Sequence, residues 1–394
     1  MALARPRHDQ LPTSAEVVVI GAGIIGCAVA ELLQREGMDV CVVDQFGPAA
    51  GSSAAGEGNL LVSDKLPGVD LELARHSLAR WHALAQEIGE EIEYVPKGGL
   101  VVAHDETAFA GLVSLAAAQR AEGARNTVLP ANELAAFEPH LSRALAGGVF
   151  YEDDAQIQPM LAVSALIRSL RREGGRVVVD AEVHGASRSA QGRLSCLVTS
   201  RGNIAIGRAV VNAAGAWAGE VATRLGGSVP VRPRRGHVLV SEPTAPLTAY
   251  KVYESGYVGS IHDGPGALSV SAVVEDTASG TMLLGSSREF VGFSRTQNPA
   301  VRAAIARRCI ALFPALSSLR MMRSYVGYRP ATPDRLPVLG EDADVPGLYH
   351  ATGHEGAGVG LAPASADAIS ALLGERDPGF RLEPFSPARF AAVQ

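Results

Sequence analysis

The sequence predicts an α/β fold, α+β taken over the whole chain, in two interleaved parts. Three observations carry that expectation. Residues 17–20 are a β-branched run, followed by glycines at 21, 23 and 26 and, one strand later, by Asp44. The stretches 209–217 and 348–373 repeat the theme of buried strand, small-residue turn and helix far from the N-terminus. Between them, residues 231–287 alternate apolar and polar with frequent turn signals, as an antiparallel sheet does. Parallel-type elements near both ends and in the middle, with antiparallel material between, imply that each part is assembled from separate chain segments.

The first element is the most specific. Residues 17–20 read as a buried parallel strand, and G-x-G-x-x-G then opens a helix running to about residue 36. Gly21 makes the tight turn, Gly23 lets a pyrophosphate approach the backbone, and Gly26 lets the helix pack on the strand. The helix N-terminus turns N–H groups and a positive dipole end toward the phosphates. Residues 38–43 form the next strand, and Asp44 at its end is placed to accept hydrogen bonds from ribose hydroxyls. No Arg or Lys directly follows Asp44, which disfavours NADP and leaves FAD or NAD. Arg5 and Arg7 ahead of the apolar run 17–30 imitate a secretory signal, but the glycines, Glu16 and Asp44 have no place in one. The run is also shorter than the about 20 apolar residues that a bilayer requires.

A chain of 394 residues suits two domains. Its 47% hydrophobic and 19% charged content is that of a soluble globular protein. A net charge of −6 without a Lys/Arg stripe argues against nucleic acid as a partner. Cys27, Cys41, Cys196 and Cys309 are scattered and form no C-x-x-C, so they read as thiols in a reducing compartment, which points to the cytoplasm. No segment reads as an integral membrane span.

Along the chain, residues 1–13 read as a loose tail. G-S-S-A-A-G-E-G-N at 51–59 is too polar and glycine-rich for a regular element and is expected to wrap a cofactor. Residues 71–88 read as an amphipathic helix, 93–103 as a strand bent at Gly98 and Gly99, 106–122 as a helix, and 130–139 as a short capped connection. A βαβ-like return begins at 148–151 and continues through a helix at 159–172 and a strand at 175–183. Residues 196–199 and 205–206 suggest a meander, and 299–313 a helix. The expected division is a nucleotide-binding domain from 14–80, 148–225 and 326–376, a second domain from 81–147 and 226–325, and a tail at 377–394.

Five ordered segments carry a family resemblance: V-V-V-I-G-A-G-I-I-G with Asp44, G-S-S-A-A-G-E-G-N, V-N-A-A-G-A-W-A, G-Y-R-P-A-T-P-D-R-L-P-V-L-G and T-G-H-E-G-A-G-V-G-L-A-P. Together they resemble the glycine/D-amino-acid oxidase (DAO) family of FAD-dependent oxidoreductases over nearly the whole chain. Within it, G-S-S-A-A-G-E-G-N-L-L-V-S-D-K and G-H-E-G-A-G look most similar to the FAD-carrying β subunits of hydroxyproline and opine dehydrogenases. The resemblance implies an extended FAD on a Rossmann-like domain, with substrate over the flavin beneath an antiparallel sheet. It implies that Gly21, Ala22, Gly23, Ile25 and Gly26 hold the pyrophosphate and that Asp44 and Gln45 serve the adenosine ribose. Ser52, Ser53, Gly56, Gly58 and Asn59 would line the pyrophosphate and flavin edge, and Val183 the adenine. Ala214 and Gly215 would approach the cofactor where only small residues fit. Gly353, Gly356, Gly358, Val359 and Gly360 would bring N–H groups to flavin N1 and the C2 carbonyl, where reduced flavin is negative.

The same resemblance gives Arg329, in the R-P motif, the substrate carboxylate. A planar guanidinium at a strand end suits bidentate capture of a carboxylate, the alternative being an ion pair with Asp334 or Asp342. Tyr257, read on a strand, matches a position where the family often sets a tyrosine against that carboxylate, with Tyr253 and Tyr328 as fallbacks. His354 and Glu355 lie in the flavin-facing turn, where several simple oxidases carry a different pair, often including arginine; the difference removes a second possible carboxylate clamp, places a potential anion near the flavin and leaves the choice of substrate open. His237 reads as support for a strand rather than a metal ligand, and no metal site is expected.

The leading expectation is FAD-dependent oxidation of an amino or imino acid of D-hydroxyproline, D-amino-acid or opine type, by hydride transfer to flavin. The resemblance to β subunits implies that electrons then pass to iron–sulfur or flavin-containing partner subunits; an iron–sulfur relay would reside on another polypeptide, since no cysteine pattern here holds a cluster. The alternatives are a free-standing glycine/sarcosine-type oxidase releasing hydrogen peroxide, a non-catalytic FAD-binding scaffold subunit, and an NAD-dependent dehydrogenase. The last leaves 209–217 and 353–360 without a task.

Overall fold

The strand Ser14–Ile20 is buried at every position from Val17 onward because a parallel sheet is covered on both faces. In the computed structural model, which describes residues 9–262 and 268–393, it pairs in parallel with Val40–Val43 and with Gly202–Asn212. Arg176–Val178 and Leu348–Thr352 extend that parallel set on either side. Val338–Glu341 adds an antiparallel edge, and Val183–Arg188 with Leu194–Thr199 form a meander on Gly202–Asn212. The helix Ile24–Arg35 packs on both Pro159–Arg172 and Gly358–Gly374. The last of these is alanine-rich and buried over most of its length, so small side chains let it lie close.

A second sheet runs in the order Met321–Ala331, Arg232–Ser241, Met282–Arg288, Ser269–Asp276, Lys251–Glu254, Gly99–Ala103, Gly147–Tyr151, Asn126–Pro130. The helix Pro299–Leu312 covers it, setting Val301, Ile305, Cys309 and Leu312 against Val274, Leu284 and their neighbours. The mixed α/β expectation therefore holds, with two local corrections. Lys251–Glu254 and Gly99–Ala103 run parallel within this otherwise antiparallel sheet. Residues 255–262, expected within the alternating sheet, are a helix, Ser255–His262.

By its contacts the chain divides into two units. One comprises Met1–Ala54, Pro159–Arg232 and Pro330–Gln394; the other comprises Ala55–Gln158 and Pro233–Arg329. Residues 55–80 and 148–158, expected with the nucleotide-binding part, lie in the second unit. The reason is pairing: Gly147–Tyr151 is hydrogen-bonded between Gly99–Ala103 and Asn126–Pro130, so 148–151 does not begin a βαβ return. Just beyond that strand, Asp154 accepts the N–H groups of Val62 and Ser63 and ties the earlier segment to it. Residues 226–232 lie in the first unit and 326–329 in the second, and 377–394 clusters with the first unit, where Arg389 binds Asp334. Residues 9–13 are anchored rather than loose, because Asp9 accepts Arg171 and the Val177 N–H; residues 1–8 lie outside the described residues. No helix among the described residues is long and apolar enough to cross a membrane.

Candidate active site

Two of the fingerprint glycines answer to the chain's own packing. Gly21 has φ +110°, and a Cβ there would stand 2.5 Å from the Ala213 carbonyl oxygen; one on Gly26 would stand 1.9 Å from the Gly21 carbonyl oxygen. Gly23 is different. A Cβ there would meet only Ser53 Oγ, at 3.3 Å, so the protein leaves this space to something else. The helix Ile24–Arg35 starts at Gly23 with no side-chain cap. Ser53, on the 3₁₀ turn Ser52–Ala54, accepts the Ile24 N–H at 3.0 Å and keeps its own proton to donate. Ile25 is half-buried in the first turn. Asp44 braces the turn, with Oδ2 accepting from Ala22 and Oδ1 from Phe46 and Gly47. Gln45 beside it is half-buried. An open Gly23, a helix start whose own N-cap residue has no side chain to cap it, and a neighbouring hydroxyl fit a dinucleotide pyrophosphate.

In the same unit, Val183 starts its strand and gives its carbonyl to Arg224. Ala214 N–H donates to Asn212 Oδ1, and Gly215, at φ +54°, gives its carbonyl to Thr352. The turn before the final helix is tightly specified. Gly353, at φ +77°, leaves no room for a Cβ, which would lie 2.6 Å from Thr332 Cγ2. Glu355 takes φ +50°, a left-handed conformation rare for a glutamate, and its N–H donates to the Pro330 carbonyl at 3.0 Å. Gly356 is exposed, and Gly358, Val359 and Gly360 form the first turn of a helix whose N-cap, Ala357, offers no side-chain cap.

His354 is turned inward, with Nε2 2.7 Å from Ser365 Oγ, and burial pushes its pKa down to about 3. In the second unit, Asp154 is wholly buried, and burial pushes its carboxyl up to about 7 against the hydrogen bonds from Ser63 and Val62. These groups pull stability in opposite directions. An unfolded histidine gains a proton below about pH 6.5, so the His354 contribution is full above that pH and is lost as pH falls toward 3. The Asp154 contribution is full below about pH 4 and is lost as pH rises through 7. Each slope is about 1.4 kcal/mol per pH unit, so from about pH 4 to 6.5 they cancel. His354→Gln should leave the Asp154 slope alone, so that its stability relative to the parent declines as pH rises over this window. Denaturant unfolding across pH checks this, and curves that stay parallel would refute it.

In the second unit Arg329 lies on Met321–Ala331, its Nη1 donating to the Ser287 carbonyl at 2.8 Å. Its guanidinium rests over Gly236, where a Cβ would fall 2.2 Å from Nη1. The alternative acidic residues are engaged elsewhere: Asp334 binds Arg389, and Asp342 lies 2.8 Å from His350. Tyr257 is on the first turn of the helix Ser255–His262, not on a strand, and is buried. Its ring carries the guanidinium of buried Arg288 at 4.4 Å and meets Tyr253 edge-on at 5.1 Å. The Tyr253 hydroxyl bonds Ser63, which donates to Asp154, and the Tyr328 hydroxyl donates to the Phe293 carbonyl. Both fallback tyrosines thus have structural hydrogen bonds. Gly58 is pressed against the Ile157 carbonyl, and Asn59 donates to Glu57. His237 is buried in its strand between Ser287 and the Asn298 N–H. Lys251, Glu275, Arg288 and Asp154 stand out in no sequence motif; the available signal was a charge at an inward strand position, as at Lys251.

Residues 16–372 match the model of the DAO family, FAD dependent oxidoreductase. The chain belongs to this family. FAD is the cofactor that the DAO family uses, and the fingerprint in the first unit fits it. The chain is 25% identical to hydrogen cyanide synthase subunit HcnC of Pseudomonas aeruginosa, over 95% of this chain and 96% of that protein. It is 27% identical to glycine oxidase of Geobacillus kaustophilus, over 95% of this chain and 97% of the relative. The crystal structure of that enzyme superposes with a TM-score of 0.87, covering 96% of this chain and 99% of the other. L-proline dehydrogenase from P. horikoshii shares the fold, at a TM-score of 0.88 and 22% identity, over 98% and 100% of the two chains.

Proposed function

We propose that this DAO-family protein oxidises an amino or imino acid, of D-hydroxyproline, D-amino-acid or opine type, to its imine and passes the electrons to a partner subunit. The observation that carries the substrate class is the held guanidinium of Arg329, fixed by the Ser287 carbonyl over Gly236. A planar cation fixed in a strand is suited to the carboxylate such substrates share. The amino-acid oxidoreductases among the relatives support the same class.

Bound FAD supplies the acceptor for a hydride from the carbon next to nitrogen. The chain supplies orientation and electrostatics. Gly21, Ala22, Gly23, Ile25, Gly26, Ser52 and Ser53 hold the pyrophosphate. Asp44 and Gln45 take the ribose, Asp44 through lone pairs left beside its three N–H donors. Val183 meets the adenine, and Ala214, Gly215, Gly56, Gly58 and Asn59 complete the surroundings of the cofactor. Gly353, Gly356, Gly358, Val359 and Gly360, at the start of the final helix, would offer backbone N–H groups to the cofactor. Arg329 binds the carboxylate of the substrate and Tyr257 makes a second contact, its ring fixed by Arg288 and Tyr253. His354, neutral and bonded to Ser365, positions the turn that Glu355 bends.

The word subunit in the name of HcnC and the G-E-G-N and His354–Glu355 segments favour electron exit to a partner. The glycine oxidases favour a second reading, a free-standing oxidase that returns peroxide. Anaerobic bleaching of the yellow flavin band against a panel of cyclic imino acids, N-alkylated glycines, opines and D-amino acids identifies the substrate. With the best amine, an acceptor dye should be reduced quickly while oxygen reacts slowly. Peroxide formed at the rate of dye reduction would make the oxidase reading correct.

A further inference from the structure

Lys251 and Glu275 form a buried ion pair in the second unit. Val252 pairs with Val274, which sets Lys251 opposite Glu275, and Nζ lies 2.5 Å from the carboxylate in surroundings that exclude water. That pair is balanced. Glu57 then adds a second carboxylate, its Oε2 3.3 Å from Nζ and its side chain only 7% exposed. Asn59 closes the group, its carbonyl oxygen accepting from Lys251 and its amide donating to Glu57 Oε2. Lys251 thus faces two carboxyl groups at once. Glu57 Oε1 is buried with no hydrogen-bond partner among the described residues. Stability alone does not explain this residue, because an orphaned buried carboxylate oxygen costs free energy that a neutral side chain would spare.

What Glu57 gains is a fixed backbone. The turn is seated by close approaches at residues 55, 57 and 58. A Cβ on Gly327 would stand 2.8 Å from Ala55 Cβ, one on Gly285 2.3 Å from Glu57 Oε1, and one on Gly58 1.6 Å from the Ile157 carbonyl oxygen. Glu57 and Asn59 are the two side chains that reach from this turn to Lys251, Glu57 also bracing Asn59, and the glycine at 285 leaves Glu57 the space. We propose that Glu57 is a positioning residue for the cofactor: held by Lys251, it fixes the turn at 55–59 in the shape that retains FAD. This rests on the reading that Gly56, Gly58 and Asn59 belong to the surroundings of FAD.

Two substitutions separate this role from a merely structural one, because each leaves Lys251 with one carboxylate. Glu57→Ala keeps the Lys251–Glu275 pair and loosens the turn, leaving Asn59 without its Glu57 brace; Glu275→Gln keeps the hold on the turn and weakens the core pair. FAD release from the diluted full-length holoprotein, followed by flavin fluorescence, and thermal unfolding are measured for both. Glu57→Ala should release FAD about tenfold faster while its FAD-stripped form melts no lower than the stripped parent, and Glu57→Gln, which still accepts from Lys251, should restore retention. Glu275→Gln should melt lower and keep FAD to within about twofold. Retention by Glu57→Ala at the parent level overturns the proposal, as does its failure to fold, since the remaining pair should carry the sheet. Gly23→Val is the control: if it too keeps FAD, the assignment of the cofactor segments fails, whereas release by Gly23→Val alone refutes only the role of Glu57.

Discussion

Arg329→Ala should lower kcat/KM for every active amine by about ten- to a hundredfold, the range expected from losing a charge-assisted hydrogen bond worth about 1.5–3 kcal/mol. Arg329→Lys should fall between, because it keeps the charge and loses the planar fork. Part of any loss arises inside the protein, since Nη1 also anchors to the Ser287 carbonyl. The two contributions separate in the data: a substrate-binding role raises KM and slows flavin reduction while FAD content stays normal. Stopped-flow reduction of the variant by its best amine makes the measurement. A native rate for Arg329→Ala would remove the carboxylate assignment and with it the substrate class.

The second large effect is a contrast between neighbouring glycines. Gly26→Val should prevent the first unit from forming, because a Cβ 1.9 Å from the Gly21 carbonyl oxygen meets backbone and cannot be relieved by a rotamer change. Gly23→Val should fold, since its nearest obstacle is Ser53 Oγ at 3.3 Å, yet it should lose FAD because the added side chain fills the space left for phosphate. Expression and circular dichroism should therefore fail for the first variant and remain normal for the second. The FAD content of the purified Gly23→Val protein then decides the matter, and normal loading would refute the fingerprint assignment.

The ease of reading this chain follows the range of the forces involved. The fingerprint was legible because its strand, glycines and Asp44 act within one short segment, and the helix Pro159–Arg172 because its apolar stripe and flanking turn signals are local. The strand Gly147–Tyr151 was placed beside the wrong neighbours because strand pairing depends on distant residues that its own sequence does not name. Tyr257 was read on a strand since Tyr and Val favour strands, and tertiary surroundings override that preference in Ser255–His262. Lys251 and Glu275 meet only through the register of two strands, and Arg288 reaches Tyr257 only through the fold. His354 is legible as a member of the turn T-G-H-E-G, whereas the direction of its ring, toward Ser365, is set by packing.

The order of the strands in the first sheet has a consequence for biosynthesis. Ser14–Ile20 is made well before Gly202–Asn212, its neighbour, which in turn pairs with Leu348–Thr352 at its other edge. The fingerprint helix likewise packs on Gly358–Gly374. At about 5–20 residues per second, roughly a quarter of a minute to a minute separates the first of these segments from the last. Throughout that time the apolar faces of Val17–Ile20 and Ile24–Arg35 lack their final cover. The fingerprint strand and helix are therefore fully covered only once Leu348–Thr352 and Gly358–Gly374 have been made.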